Sequence, residues 1–217
     1  MINWSKIETV LLDMDGTLLD LRFDNYFWQT VVPKFFASKK NITFDEAVDH
    51  LAPIFKSQEG LLNWYCLDYW SEELEIDIAQ LKVETQDHIK ELPHTRAFLK
   101  ALQLTGKRCV LVTNAHADSL SIKMQKTGLV EFFGAIVSAH DFGYPKEQQS
   151  FWRAFHKLEQ FDKSTTVLVD DSLSVLKAAD TFGIQYLIAI TQPDSTKPLR
   201  IVHDYLAIEN LSKIQPI

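Results

Sequence analysis

The stretch LLDMDGTLLD, residues 11 to 20, runs an apolar segment straight into two aspartates, a glycine and a threonine. Residues two apart on extended backbone point the same way, so Asp13 and Asp15 can address one ligand. Gly16 lets the chain turn there without a side-chain penalty. Three weaker signals follow. RCVLVTNAH ends an apolar run at Thr113 and Asn114. A threonine in that position is most often a turn or cap residue; its other use is to hold phosphate oxygens together with the N–H groups that follow it. FGYPKEQQSFW places Lys146 after a turn, where it is expected to open a helix, and lysines in such places are ordinarily solvated. TTVLVDDSLSVLKAAD delivers adjacent Asp170 and Asp171 just ahead of a helix. Acids there serve as caps favoured by the helix dipole, or as the hard oxygen ligands that magnesium prefers.

The elements that must position these residues can be read from periodicity. Short β-rich apolar runs recur at residues 8–12, 108–112, 135–137, 166–169 and 185–190. Beyond residue 90 they alternate with helical patterns that begin near 95, 117 and 172 and stop near Gly106, Gly128 and Gly183, where a left-handed cap is wanted. Strands and helices alternating at this length build a parallel sheet with right-handed crossovers and helices on both faces. All four signals then fall at the carboxyl ends of strands, which is where such sheets bind ligands. The interval 21–92 is different in kind. It is aromatic-rich and helical throughout, with FDNYFWQTVVPKFF, TFDEAVDHLAPIF and NWYCLDYWSEEL placing large apolar residues at helical spacing. The expectation is a Rossmann-like, doubly wound α/β core of residues 1–20 and 93–217, with residues 21–92 inserted as an all-helical cap that leans over the sheet's active edge.

Composition narrows the function classes. A chain of 217 residues, 46% hydrophobic, can bury a full core. Twenty-nine acidic against 22 basic residues give a net charge of −7, which argues against capture of a nucleic-acid backbone. Cys66 and Cys109 show neither metal-type pairing nor a secreted disulfide framework. MINWSKIETVLL lacks the pattern of a signal peptide, and no apolar run approaches the roughly 20 residues that span a bilayer. A cytoplasmic enzyme without membrane or nucleic-acid partners is the expectation, its oligomeric state left open.

DMDGT, LVTNA, the isolated Lys146 and VLVDDS, in that order, resemble the four motifs of the haloacid dehalogenase superfamily. The helical insertion directly after the first motif resembles that superfamily's C1 cap. The runs LLDMDGTLLDLRFDNYFW, LNWYCLDYWSE, LVTNAH, FGYPKE and DDS are further similar to the bacterial GMP/IMP nucleotidases within it. The resemblance implies a Mg2+-dependent phosphomonoesterase that acts on a small-molecule substrate through an aspartyl-phosphate. Asp13 would be the nucleophile, and Asp15 the acid that protonates the leaving oxygen and later the base that activates water. Asp13, the Asp15 carbonyl, Asp170 and Asp171 would hold the metal. Lys146 would bind both Asp13 and a phosphate oxygen. Asp13, Met14, Asp15, Thr113, Asn114 and Lys146 form the implied phosphate-binding set. The haloacid dehalogenases proper lack an acid at the position of Asp15, so its presence favours phosphate over carbon–halogen chemistry.

Specificity is expected from the cap, moving on hinges near residues 19–22 and 90–94. Candidate contacts are Arg22, Asp24, Asn25, Tyr26, Trp28, Asn63, Trp64, Tyr65 and Asp68, each of which could instead belong to the cap's own packing. His116 either begins a helix or touches substrate; His50, His88, His94 and His140 show no ligand spacing. The core residues do not separate a purine 5′-nucleotidase from a sugar-phosphate or phosphoglycolate phosphatase or a phosphomutase. A non-catalytic binding module on the same scaffold would be expected to have lost Asp13, Asp15, Lys146 or the aspartate pair.

Overall fold

The computed structural model describes residues 2–216. Six strands form one parallel sheet: β1 (Thr9–Leu12), β2 (Arg108–Thr113), β3 (Ala135–Ser138), β4 (Thr166–Asp170), β5 (Tyr186–Ile190) and β6 (Leu206–Ile208), in the order β3-β2-β1-β4-β5-β6. Their near-continuous apolar sequences follow from burial on both faces. Val10, Leu12, Leu111, Val167 and Val169 pack into one layer, and Leu11, Val110, Val112 and Leu168 into the other. Each such side chain contributes about 1.5–3 kcal/mol on burial. β1 lies centrally, pairing with β2 on one side and β4 on the other. The chain first winds outward to β3 and then returns to β4, so the order reverses beside β1 and opens a crevice at the strands' carboxyl ends. β6, a three-residue strand, has no counterpart among the sequence expectations.

Between β1 and β2 every regular element is helical. α1 (Arg22–Tyr26), a π turn (Phe27–Val31) and α2 (Val32–Lys40) run on without a break. Pro33 has no N–H to give the carbonyl four residues back, and the wider π turn immediately precedes it. α3 (Phe44–Gln58) opens with a capping box between Thr43 and Glu46. α4 (Leu67–Leu74) and α5 (Ile78–Thr85) complete the set. Cys66, expected within a helix, instead caps α4, its sulfur accepting the Tyr69 N–H. These helices share their own apolar core, with Phe27, Val32, Phe36, Leu51, Trp70, Leu74 and Ile78 in mutual contact.

The remaining helices cover the sheet: α6 (Thr95–Leu104), α7 (Ala117–Thr127), α8 (Gln149–Glu159) and α9 (Leu173–Phe182). α7 and α9 stop at Gly128 and Gly183, both left-handed. Lys146 does not open α8, which begins three residues later; Pro145 and Lys146 lie in the preceding turn. No helix among the described residues is long and apolar enough to cross a membrane.

The two crossings between the helical insert and the sheet layer run side by side. Leu19 bridges Glu91 in antiparallel fashion, the Asp20 N–H donates to Lys90 O at 2.9 Å, and the Leu92 N–H donates to Leu18 O at 2.8 Å. The loop after β5 braces the first crossing. Leu21 N–H donates to Pro193 O, Asp20 accepts from Ser195 N–H and O–H, and Asn25 donates to Asp194 at 2.7 Å.

Candidate active site

A cavity of about 490 Å³ lies between the strand ends and the helical insert. Asp13, Asp15, Thr113, Asn114, Lys146, Asp170 and Asp171 all line it, so four stretches far apart in sequence meet at one place. The geometry starts from β1 and its neighbours. Asp13 continues β1, its N–H bonded to Val169 O at 3.0 Å, and Asp170 closes β4 alongside. Gly16 then turns with φ of 87°. A Cβ at that position would lie 2.7 Å from Asp171 Cγ and 2.9 Å from Pro193 Cβ. Glycine therefore serves both the backbone angle and the space that Asp171 occupies.

The floor is crowded with negative charge. One oxygen each of Asp13, Asp170 and Asp171 falls within 4.8 Å of the others. Burial, opposed by Lys146 and reinforced by Asp170, pushes the Asp13 carboxyl up to about 7. Burial, then Asp170 and Asp13, holds the Asp171 carboxyl well above its usual range. Burial also raises Asp170, against the pull of Lys146. The Lys146 ammonium is only 2% exposed. It donates to Asp13 Oδ1 at 2.5 Å, Asp170 Oδ2 at 2.8 Å and Val112 O at 3.0 Å. Burial disfavours its charge, but the two carboxylates outweigh burial and keep it protonated. Were all three carboxylates ionised they would outnumber the one ammonium by two charges, a repulsion that burial sharpens and a divalent cation would offset. All the offered donors are hard carboxylate oxygens, the chemistry a small divalent cation requires. The residues therefore fit such an ion. Asp171 is the freest of the three: its carboxylate accepts no hydrogen bond from any described residue, and Arg200 donates to its backbone carbonyl at 2.7 Å while standing 3.9 Å from Oδ2. Asp170 is already held by Lys146 and by the Ser172 N–H at 2.8 Å.

Several expected roles change in detail. All three Lys146 donors are engaged within the protein, so in this arrangement none remains for a phosphate oxygen. Both ends of the Asn114 amide are likewise taken, Oδ1 by the Lys146 N–H at 2.8 Å and Nδ2 by Glu147 at 3.0 Å. Asn114 thus anchors the turn that carries Lys146. Thr113 Oγ1 accepts the Ala115 N–H at 3.0 Å, which leaves its own O–H to be donated. Met14 does not line the cavity; its side chain is buried in the sheet's core, and its backbone favours the charged form of Asp13.

On the opposite wall, Asp24, Asn25, Trp28, Trp64 and Tyr65 line the cavity, whereas Arg22, Tyr26, Asn63 and Asp68 do not. Tyr26 packs on His88 instead, and Asp68 approaches His116 at 3.5 Å outside the cavity. Tyr65 O–H donates to Glu147 at 2.9 Å, tying the wall to the Lys146 turn. Phe55 and Gln29 also line the space. Sequence reasoning passed over Lys82, Ser119 and Lys123, which sit beside Asp15 and Asp24. A usable signal existed: Lys82 shares the Ile78 and Leu81 stripe of α5, and Ser119 and Lys123 stand four apart on the buried face of α7.

Comparison with known proteins agrees with this architecture. The family model of the haloacid dehalogenase-like hydrolases matches residues 10–189. The chain is 44% identical to GMP/IMP nucleotidase YrfG of Escherichia coli (strain K12) over 194 residues, 89% of this chain and 87% of that protein. It superposes on the crystal structure of a HAD phosphatase from Thermococcus onnurineus with a TM-score of 0.80 at 21% identity, covering 96% of each chain. L-2-haloacid dehalogenase from Xanthobacter autotrophicus shares the fold with a TM-score of 0.62 at 12% identity, over 96% of this chain and 97% of that one.

Proposed function

The chain belongs to the haloacid dehalogenase-like hydrolases, and we propose that within that family it is a phosphatase of small phosphomonoesters, purine 5′-nucleotides such as GMP and IMP foremost. The observation that carries the reading is Asp13, gripped by Lys146 at 2.5 Å, with a second acid, Asp15, two residues on in the same cavity. Asp13 supplies an oxygen that bonds to phosphorus as the bond to the leaving alcohol oxygen breaks. Asp15 gives that oxygen its proton, then takes one from the water that attacks the phosphorylated Asp13, which restores the carboxylate and frees phosphate. Burial, opposed by Lys123, lifts the Asp15 carboxyl to about 6, so it can hold a proton near neutrality and also lose it. Lys146 fixes the orientation of Asp13 and Asp170, and the Thr113 O–H is available to a phosphate oxygen.

Asp13, Asp171, Asp170 and the Asp15 carbonyl would hold Mg2+, with Asp171 the most available side chain. When bound, the ion offsets the excess charge of the floor and eases the meeting of an anionic nucleophile with an anionic phosphate. We assign residues 21–92 as the cap that shuts the cavity, and residues 1–20 and 93–217 as the core. The aromatic wall of Trp28, Phe55, Trp64 and Tyr65 suits a flat heterocycle better than a sugar. The deciding measurement is phosphate release from a panel of nucleoside monophosphates, sugar phosphates and phosphoglycolate with Mg2+, beside an Asp13→Asn control. Nucleotides are expected to lead and the control to be inactive. Preference for a sugar phosphate would overturn the substrate, and activity surviving in the control would overturn the mechanism.

A further inference from the structure

Behind Asp15 lies a chain of charges, two buried lysines and a half-buried aspartate, that the reaction outlined above does not use. Lys123, from the buried face of α7 and 1% exposed, donates to Asp15 Oδ1 and to Asp24 Oδ2, each at 2.7 Å. Asp24, in α1, also accepts from Lys82 of α5 at 2.8 Å, and Lys82 donates to Ser119 at 3.2 Å. Signs alternate along the chain and the four charges balance. Burial alone would raise the Asp24 carboxyl, but Lys123 and Lys82 outweigh it and hold it well below the usual carboxylate range. Burial likewise opposes the charge on Lys123, and the two aspartates outweigh it. Both lysines also face the Phe23 ring, at 5.3 and 5.7 Å.

Buried ion pairs are poor value as packing, since apolar side chains of similar volume hold a fold together as well or better. These four line the cavity, and they join two parts of the molecule: Asp15, Lys123 and Ser119 belong to the sheet layer, Asp24 and Lys82 to the helical insert. We propose that Lys123 is a positioning residue for Asp15, and that through Asp24 it makes the aim of Asp15 depend on the insert being seated. The inference rests on the phosphatase reading above. With one Asp15 oxygen fixed by Lys123, the other is left to meet the leaving oxygen. When the insert swings away, Asp24 departs, Lys123 loses its second anchor and Asp15 its fixed rotamer. Proton donation is thereby confined to the closed form.

Leaving-group chemistry separates this role from a structural one. A nucleoside 5′-alkoxide needs a proton as the P–O bond breaks, whereas p-nitrophenolate departs without one. Lys123→Met should lower kcat on GMP about 100-fold with KM little changed, and lower kcat on p-nitrophenyl phosphate about threefold at most. Because this variant leaves two half-buried aspartates facing one lysine, Lys123→Met with Asp24→Asn is measured beside it; the charges balance again and the same split is expected. Asp24→Asn alone should give a smaller split, about tenfold. Equal losses on both substrates, or no loss on GMP, would overturn the role of Lys123. An unchanged ratio in Asp24→Asn would overturn the dependence on the insert. Failure of the phosphatase reading itself looks different: the wild-type protein would hydrolyse neither ester, or Asp13→Asn would still hydrolyse them.

Discussion

The two walls of the cavity are built by opposite rules. On the sheet side, charged side chains project from strand ends and are cross-linked over short distances: Lys146 to Asp13 and Asp170, Asn114 to Lys146 and Glu147. On the helical side, aromatic rings meet edge to face, Trp28 on Phe55 at 81°, Phe55 on Trp64 at 90° and Phe55 on Trp70 at 84°. A charged site has few workable arrangements, because a displaced carboxylate loses its partner outright, while packed rings tolerate exchange at modest cost. On the function proposed above, the first wall would fix the reaction and the second would select what undergoes it.

The comparison can be broken hardest at Gly16. Gly16→Ala places a Cβ where Asp171 stands and forces alanine to φ of 87°. Turnover should fall by at least about 100-fold, since a shift of roughly 1 Å in a catalytic group has that effect, while backbone strain alone is about 1–2 kcal/mol. Steady-state kinetics beside a thermal melt check this; a variant as active as wild type would show that Asp171 is not held where the reaction needs it.

Asp24→Asn tests whether charge also governs the junction between the walls. Breaking this buried pair should cost about 3 kcal/mol at neutral pH. The folded-state pKa of Asp24 is depressed, so its contribution is present above the unfolded carboxylate value of about 4 and is lost as pH falls through the folded value. The stability gap between wild type and variant should therefore narrow as denaturant melts are taken from pH 7 to below pH 4. A gap that stays constant would mean the carboxylate is not the stabilising form.

On the aromatic wall, Trp28→Leu should raise KM for GMP about tenfold and leave kcat within about twofold, as loss of one stacking partner implies. The same change should leave KM for a small aliphatic phosphate untouched; an equal effect on both would show that Trp28 shapes the site rather than binding a ring. Least is expected of Tyr65→Phe, which removes one hydrogen bond to Glu147 and should cost about 1 kcal/mol or less in a melt. A large loss of kcat there would move Tyr65 into the reacting machinery.

The sheet wall was also the more legible in sequence. β4 and the paired aspartates follow from one apolar run ending in acids, and Asp13 with Asp15 from a two-residue spacing on extended chain, because strand periodicity is local. The turn before α8 was misjudged since proline and lysine resemble a helix start, although Asn114, 32 residues earlier in the chain, is what fixes it. β6 has three residues, two of them exposed, and carries no pattern to find. Lys82 and Lys123 were passed over for a physical reason, despite their places on the buried faces of α5 and α7. A lysine reads as solvated unless its partner is known, and these pair with aspartates 58, 99 and 108 positions away. Which aromatics face the cavity and which pack behind it, as Trp28 and Trp70 do respectively, depends on helix rotation that spacing alone does not define.

Leu19 and Glu91 stand bridged, with Asp20 and Lys90 joined by one hydrogen bond beside them, so the polypeptide departs from the α/β layer and comes back through a single doorway. Everything between those points is one continuous run of polypeptide. It could be excised and the gap closed by a tight turn, or exchanged for a helical segment of another length, without altering a single strand pairing. Heredity can thus rewrite the aromatic wall as one block, provided the replacement again supplies a carboxylate where Asp24 meets Lys123 behind Asp15.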